Sequence, residues 1–247
     1  MTNTLGYRKV FAVLAPSTNT AVEADFARMR VPGVTSHMGR IMINDQDLSS
    51  NDAFEALLEQ VREGIEDACR RVLTCEPDYM VMGMSAETFW GGIEGNKKFH
   101  EHMTAVSGLE MTAGAGACVE ALQKHGVTRI AVITPYQAIG DDNVIQFFRE
   151  SGFEITGIEG LRCESAIAIS QVSEDRLRDA IHTLNTPETE AIVQVGTNLS
   201  MVSLADEAER WIGKPVIAIN AATWWHALRH NGIDDQILGC GSLLSRF

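Results

Sequence analysis

No CxxC pair occurs in this sequence, and its five cysteines, Cys69, Cys75, Cys118, Cys163 and Cys240, form an odd and scattered set. Such a set fits free buried thiols better than a disulfide framework or a zinc site, so no metal is expected. Also missing is any run of about 18 uninterrupted apolar residues, the length a membrane span needs. The opening Met1–Lys9 segment lacks the apolar core of a signal peptide, so a cytoplasmic protein with no membrane partner is expected. Basic residues are in short supply: 20 Lys and Arg stand against 33 Asp and Glu, a formal net charge of −13. A surface of that average sign repels phosphate backbones, which argues against nucleic acid as a partner. The Gly114-Ala-Gly116 pair lacks the third glycine and downstream acid of a dinucleotide fingerprint, so no nucleotide cofactor is implied.

What is present is an ordinary globular chain of 247 residues, 45% hydrophobic and 21% charged, long enough for one large core or two small ones. Short β-rich runs alternate with helix-period segments, the pattern of parallel strands joined by crossover helices. Strands are predicted near 9–15, 34–43, 78–82, 110–112, 129–134, 153–158, 191–195 and 216–219. The clearest helix runs from Asp52 to Leu73, with Phe54, Leu57, Leu58, Val61, Ile65, Ala68 and Val72 at helical spacing. Trp224 and Trp225 lie in another apolar helix and read as core or interface, with His226 beside them a satisfied polar residue. The chain also repeats itself. Val10–Pro16 echoes Arg129–Pro135, Asp78–Gly83 echoes Glu190–Gly196, and Gly108–Val127 echoes Gly213–Ile233, in the same order. The repeat divides the chain into α/β units of about 1–127 and 128–247, with the C-terminal helix free to pack back on the first. No Gly/Ser/Pro-rich linker separates them, so an extensive shared interface is expected.

In open parallel sheets, ligands sit outside the carboxyl ends of the strands, where loops and helix N-termini present free amides. Four loops occupy such positions. Pro16-Ser-Thr-Asn-Thr20 precedes Glu23, and Thr20 with Glu23 fits a capping box that opens a helix and offers amides to an anion. Gly83-Met-Ser-Ala-Glu-Thr-Phe-Trp-Gly-Gly92 carries a hydroxyl at Ser85 and a carboxylate at Glu87. It reads either as an oxyanion-binding turn with an acid/base beside it, or as a surface loop whose Phe89 and Trp90 pack on a neighbour. Thr134-Pro-Tyr136 delivers a phenol to the same edge, and Gly196-Thr-Asn-Leu199 brings the Thr197 and Asn198 side chains to the symmetry-related position. Together the four loops form a candidate carboxylate cradle.

Pro16-Ser-Thr-Asn-Thr20, Thr134-Pro-Tyr136, Thr197-Asn-Leu199 and the closing Gly213-Lys-Pro-Val, Asn220-Ala-Ala-Thr-Trp and Ala227-Leu-Arg229 resemble the aspartate/glutamate racemase superfamily. Within it, the chain resembles the maleate isomerase and arylmalonate decarboxylase branch along nearly its whole length. The resemblance implies two Rossmann-like parallel-sheet halves related by a pseudo-twofold, a site in the cleft between them, no cofactor, and a homo-oligomer. It implies that Asn19 holds one substrate carboxylate, while Tyr136 and the amides around Ser85 stabilise a developing enolate or a second carboxylate; Ser17, Gly83, Gly196, Thr197 and Asn198 are the further candidate substrate-binding positions. The family's catalytic cysteines fall at Gly83 and Gly196, so both thiols are missing. Glu87 is then the candidate replacement, its pKa raised if Phe89, Trp90 and Met84 wall it from water. A cysteine placed at 196 would be expected to form a reactive thiolate. The expected activity is a cofactor-independent lyase or isomerase acting on a small mono- or dicarboxylate through an enolate-type intermediate. The alternatives are a hydrolase or hydratase in which Glu87 activates water, and a carboxylate-binding protein without turnover.

Overall fold

Strand and helix segments alternate throughout the computed structural model, which describes residues 3–247. Met1 and Thr2, which begin the Met1–Lys9 segment and the expected first half, lie outside the described residues. The first set of elements is β1 (Lys9–Pro16), α1 (Ala21–Arg28), β2 (Val34–Ile41), α2 (Asn51–Val72), β3 (Tyr79–Met82), α3 (Ala86–Phe89), α4 (Gly92–Ser107), β4 (Met111–Thr112) and α5 (Gly114–His125). The second is β5 (Arg129–Thr134), α6 (Ala138–Glu150), β6 (Glu154–Gly160), α7 (Ala166–Ser170), α8 (Glu174–Leu184), β7 (Ala191–Gln194), α9 (Val202–Ile212), β8 (Val216–Ala218) and α10 (Ile219–His230), closed by α11 (Ser242–Arg246). Two four-stranded sheets result, ordered β2-β1-β3-β4 and β6-β5-β7-β8, so the strand order repeats element for element. Every strand pair is parallel. Among the described residues no helix is long and apolar enough to cross a membrane.

Parallel strands covered on both faces read as continuous apolar runs, and this is how the central strands were visible in the sequence. Phe11 to Ala15 and Ile130 to Ile133 are fully buried. The ends of strands follow local hydrogen bonding instead. The second strand stops at Ile41 rather than Ile43, because the Ile43 amide donates to the Ser17 hydroxyl at 3.1 Å. Ile219, expected to end the last strand, opens α10. In α2 the apolar positions spaced at helical period form the buried face, and Ser50 caps the helix by accepting from the Ala53 amide at 3.2 Å.

The two sets share one core. Trp224 of α10 reaches into the first sheet, its ring 5.5 Å edge-on from Phe11 and 4.7 Å from Phe26, and its indole N–H donates to Met29 O at 2.8 Å. Burying this indole with its one donor satisfied avoids the penalty of an orphaned polar group. Helices α5 and α10 pack against each other at their starts. The approach is so close that a Cβ at Gly114 would meet Ile219 Cδ1 at 2.7 Å, so the Ile219 side chain would have to shift to admit one.

Candidate active site

The loops that follow β1, β3, β5 and β7 converge where the two sets meet. Thr197 Oγ1 donates to the Gly83 carbonyl at 3.0 Å, and the Thr197 amide donates to Ser85 Oγ at 3.1 Å. The Asn19 amide group donates to Thr197 Oγ1 at 3.1 Å, so the threonine joins both first-set loops to the second. Ser85 Oγ and Tyr136 Oη lie 2.7 Å apart. Ser85 Oγ accepts from the Thr197 amide and can give its own proton to the phenol oxygen, an arrangement that leaves the phenol O–H to donate into the space in front of it.

That space is a partly open cavity of about 70 Å³. Its volume suits a handful of waters or a small organic acid. The floor is polar and neutral: Asn19, Ser85, Tyr136, Thr197 and Asn198, with Gly196 at its edge. The roof is apolar and comes from both sets, with Phe54, Leu57, Leu58 and Val61 of α2 on one side and Ala166 and Ile169 of α7 on the other. The two roof segments are tied together, Leu48 N donating to Glu164 O at 2.7 Å and Ile167 N to Asp45 Oδ1 at 3.0 Å. Among the described residues Tyr136 is the one titratable side chain lining the cavity. Burial pushes its phenol pKa up, an effect the Ser85 bond only partly opposes.

Four expectations need correction. Glu87 does not face the cavity. Its carboxylate sits in the fork of the Arg62 guanidinium, at 2.8 and 3.1 Å, in a separate groove beside Trp90. Its buried neighbour Phe89 packs instead against Phe147 and Phe148. Ser17 also lies outside: its hydroxyl bridges the Ile43 amide and carbonyl. The capping box is absent, because Glu23 turns to Arg40 at 2.5 Å and Thr20 makes no side-chain cap. The first-turn amides of α1 are taken by other acceptors, Ala21 N and Val22 N by Asn19 Oδ1, and Thr20 N by Asn198 Oδ1 at 2.9 Å. Asn198 spends its amide protons as well, on the Thr18 and Ala166 carbonyls, so it fastens the two sets together. Finally, a side chain at Gly196 would meet Pro135 Cγ at 2.5 Å, and this residue has φ +102°, so a cysteine there is strained. Gly83 is crowded as well, though less so, with Val22 Cγ1 at 2.9 Å and the Leu14 carbonyl oxygen at 3.0 Å from an added Cβ.

Two supporting groups escaped the sequence reading. Asn220, at the start of α10, donates to Thr197 O at 2.9 Å and to Asp25 Oδ2 at 2.7 Å. Burial raises the Asp25 pKa to about 6, with the Asn220 bond pulling the other way. On the other side Arg162 donates to both the Tyr136 carbonyl and Asp141 Oδ2 at 2.5 Å, while Thr134 Oγ1 donates to Asp141 Oδ1. Arg162 holds a left-handed backbone at φ +53°, uncommon for a residue with a side chain. This clamp fixes the backbone that carries the phenol. Asp25 and Asp141 sit within helical patterns, where acidic residues ordinarily read as solvated, and only their burial marks them.

Two parallel sheets of identical strand order, clasping one small cavity at their seam, define a two-lobed α/β protein whose site both lobes build. Its sequence matches the arylmalonate decarboxylase family model over residues 38–244, and the chain belongs to that family. It is 25% identical to a maleate isomerase of Pseudomonas putida, over 94% of this chain and 95% of that protein. To an arylmalonate decarboxylase of Bordetella bronchiseptica it is also 25% identical, over 89% of each. Among solved structures, a cysteine variant of the Nocardia farcinica maleate cis-trans isomerase with a covalently bound succinylcysteine intermediate superposes with a TM-score of 0.87. The match has 20% identity and covers 97% of this chain and 99% of that one. Unliganded arylmalonate decarboxylase gives 0.77 at 23% identity, covering 95% and 97%.

Proposed function

We propose that this protein is a cofactor-independent lyase or isomerase that passes a small carboxylate through an enolate-type intermediate, with Tyr136 as the proton-bearing group. The single observation that carries the reading is the two-sided cavity: neutral hydrogen-bonding groups on the floor, apolar side chains on the roof, and a phenol between them. Family membership and the maleate isomerase and arylmalonate decarboxylase relatives support the reaction class. Among the described residues no charged side chain lines the cavity. One carboxylate can be held by the neutral donors, and a second negative charge set against the apolar roof goes uncompensated, which favours a reaction that removes it as carbon dioxide. The substrate class that fits is therefore a carboxylate bearing an apolar substituent that lies against Phe54, Leu57 and Leu58.

For a 2-substituted malonate the chemistry balances without a thiol. The bond between the central carbon and one carboxyl group breaks, carbon dioxide leaves, and the electron pair enters the enolate of the remaining carboxylate. That carboxylate rests on the floor beside Asn19 and the Tyr136 O–H, and the apolar roof disfavours the departing charged group in the ground state more than the neutral carbon dioxide it becomes. The Tyr136 O–H then protonates the carbon, and water later restores the phenol. The hydrolase or hydratase alternative loses its base, since Glu87 is held by Arg62 in another groove.

The test is a panel of 2-aryl- and 2-alkylmalonates together with maleate, each incubated with the protein in deuterium oxide and followed by proton NMR. Loss of one carboxyl group with a single deuterium appearing at carbon is expected for the substituted malonates. Incorporation of oxygen-18 from labelled water would restore the hydratase, and tight binding without turnover would leave a carboxylate-binding protein.

A further inference from the structure

Away from the catalytic cavity, the outer ends of α5 and α10 bring together three side chains of a different character. Glu120 lies on α5, and His226 and His230 stand one turn apart on α10, so the i,i+4 spacing puts both imidazoles on one helix face. One atom from each of the three lies within 4.8 Å of the others. Glu120 Oε1 is 3.0 Å from His226 Nε2 and 4.0 Å from His230 Nε2. We infer that Glu120, His226 and His230 form a binding site for a divalent transition metal of the zinc type, a clamp between the two lobes.

The distant ring nitrogens favour this. His230 Nδ1 lies 3.1 Å from the His226 carbonyl, which can only accept, so this nitrogen carries the proton and Nε2 keeps its lone pair. His226 Nδ1 lies 2.8 Å from Thr112 Oγ1, which in turn lies 3.1 Å from Tyr79 Oη. His226 Nε2 faces the Glu120 carboxylate, which can only accept, so a metal would take the place of the proton between them; the Thr112 hydroxyl, able to accept as well as donate, can then hold Nδ1–H, as outer partners of metal-binding histidines do. Ligand atoms around a tetrahedral zinc at about 2.0–2.1 Å stand roughly 3.3 Å apart. The Glu120–His226 pair is close to that spacing. The two imidazoles are stacked, 3.8 Å between centroids, so His230 must tilt to converge, and as the half-exposed member it has the room.

The remaining coordination positions open onto a cavity of about 780 Å³, where Glu101, Glu110 and His100 add negative charge and a further imidazole. Two nitrogens and a carboxylate suit zinc, nickel or cobalt rather than magnesium or calcium, which prefer all-oxygen sites. The expectation that no metal binds rested on the cysteines, and it did not weigh the His226–His230 spacing. Because α10 begins at the residues that hold Thr197 and Asp25, a metal here braces the helix whose other end supports the catalytic floor.

The experiment is a calorimetric titration of untagged, chelator-stripped protein with zinc chloride. One equivalent should bind with a Kd below about 100 μM, and the His230→Ala and Glu120→Gln variants should each weaken it at least about tenfold. Both side chains are half exposed, so these variants should fold, and circular dichroism confirms it. His102→Ala, at an exposed histidine paired with Glu66, serves as the control and should bind as the unaltered chain does. Saturating zinc should also raise the Tm of the unaltered chain by several degrees and that of His230→Ala by none. Binding weaker than about 100 μM, or affinity unchanged in both variants, would overturn the site.

Discussion

Glu87 keeps its carboxylate in the fork of Arg62, so Glu87→Gln is expected to leave turnover within about threefold of the unaltered chain, far short of the 10²–10⁴-fold worth of a positioned acid or base. Arg62 is well exposed, and losing the pair should cost under about 1 kcal/mol in urea unfolding. A larger loss of turnover would return Glu87 to the chemistry. Asp25 gives a test in pH. Its carboxyl titrates near 6 in the folded protein, above the range of an unfolded aspartate, so the native state holds the proton more tightly. The stability this group contributes is therefore full below about pH 4 and lost as pH rises through about 6, on the order of 3 kcal/mol at most. Urea unfolding of the unaltered chain and Asp25→Asn at pH 4, 5, 6 and 7 should show the unaltered chain losing ground to the variant over that window. A constant difference would mean that the carboxyl is not titrating there. These residues also mark what sequence could and could not give at this scale. Ser85, Tyr136, Thr197 and Asn19 follow strands and could be placed near a site, but the direction of Glu87, five residues past its strand, depends on the turn of α3 and on Arg62, which is remote in sequence.

Helices and strands were legible to the extent that burial sets their pattern. The face of α2 follows its helical spacing because one side packs on the first sheet, and the central strands follow their apolar runs because both of their faces are covered. Element ends were read less well, because they depend on single hydrogen bonds that reach across the fold. Thr20 with Glu23 has the spacing of a capping box, yet Asn19 and Asn198 supply the acceptors, one of them from the other lobe. Among the elements α10 joins most of the molecule. Its Trp224 is 1% exposed and packs on two aromatic rings of the first lobe. Trp224→Ala should cost about 3–5 kcal/mol, measured by chemical denaturation, and should lower the unfolding midpoint of the whole chain in a single step. A cost below about 1 kcal/mol would show that α10 is not the wedge described here.

For the molecule as a whole, the internal repeat was visible in three matched segments, and the two sheets repeat one strand order. Neither lobe alone contains the site. The phenol and Thr197 come from the second lobe, Ser85 and Asn19 from the first, and the roof from both. That seam was hidden in the sequence, since pairs such as Ser85–Tyr136 and Asn19–Thr197 bring together loops that no local pattern relates. The missing thiols become intelligible at this scale too. Gly83 is crowded by Val22 and Leu14 and Gly196 by Pro135, each within its own lobe, and among the described residues the phenol is the one titratable side chain facing the cavity. Burial pushes the Cys163 thiol up to about 11 and raises Cys118 as well, consistent with packing roles, whereas Cys75, expected to be buried, is exposed. The most direct test compares three proteins on one 2-substituted malonate in deuterium oxide: the unaltered chain, a form with all five cysteines replaced, and Tyr136→Phe. Turnover with deuterium at carbon should survive cysteine replacement and fall about 10²–10⁴-fold in Tyr136→Phe, which should stay folded. Activity lost with the cysteines, or retained within tenfold in Tyr136→Phe, would contradict the assignment of the phenol as the proton donor.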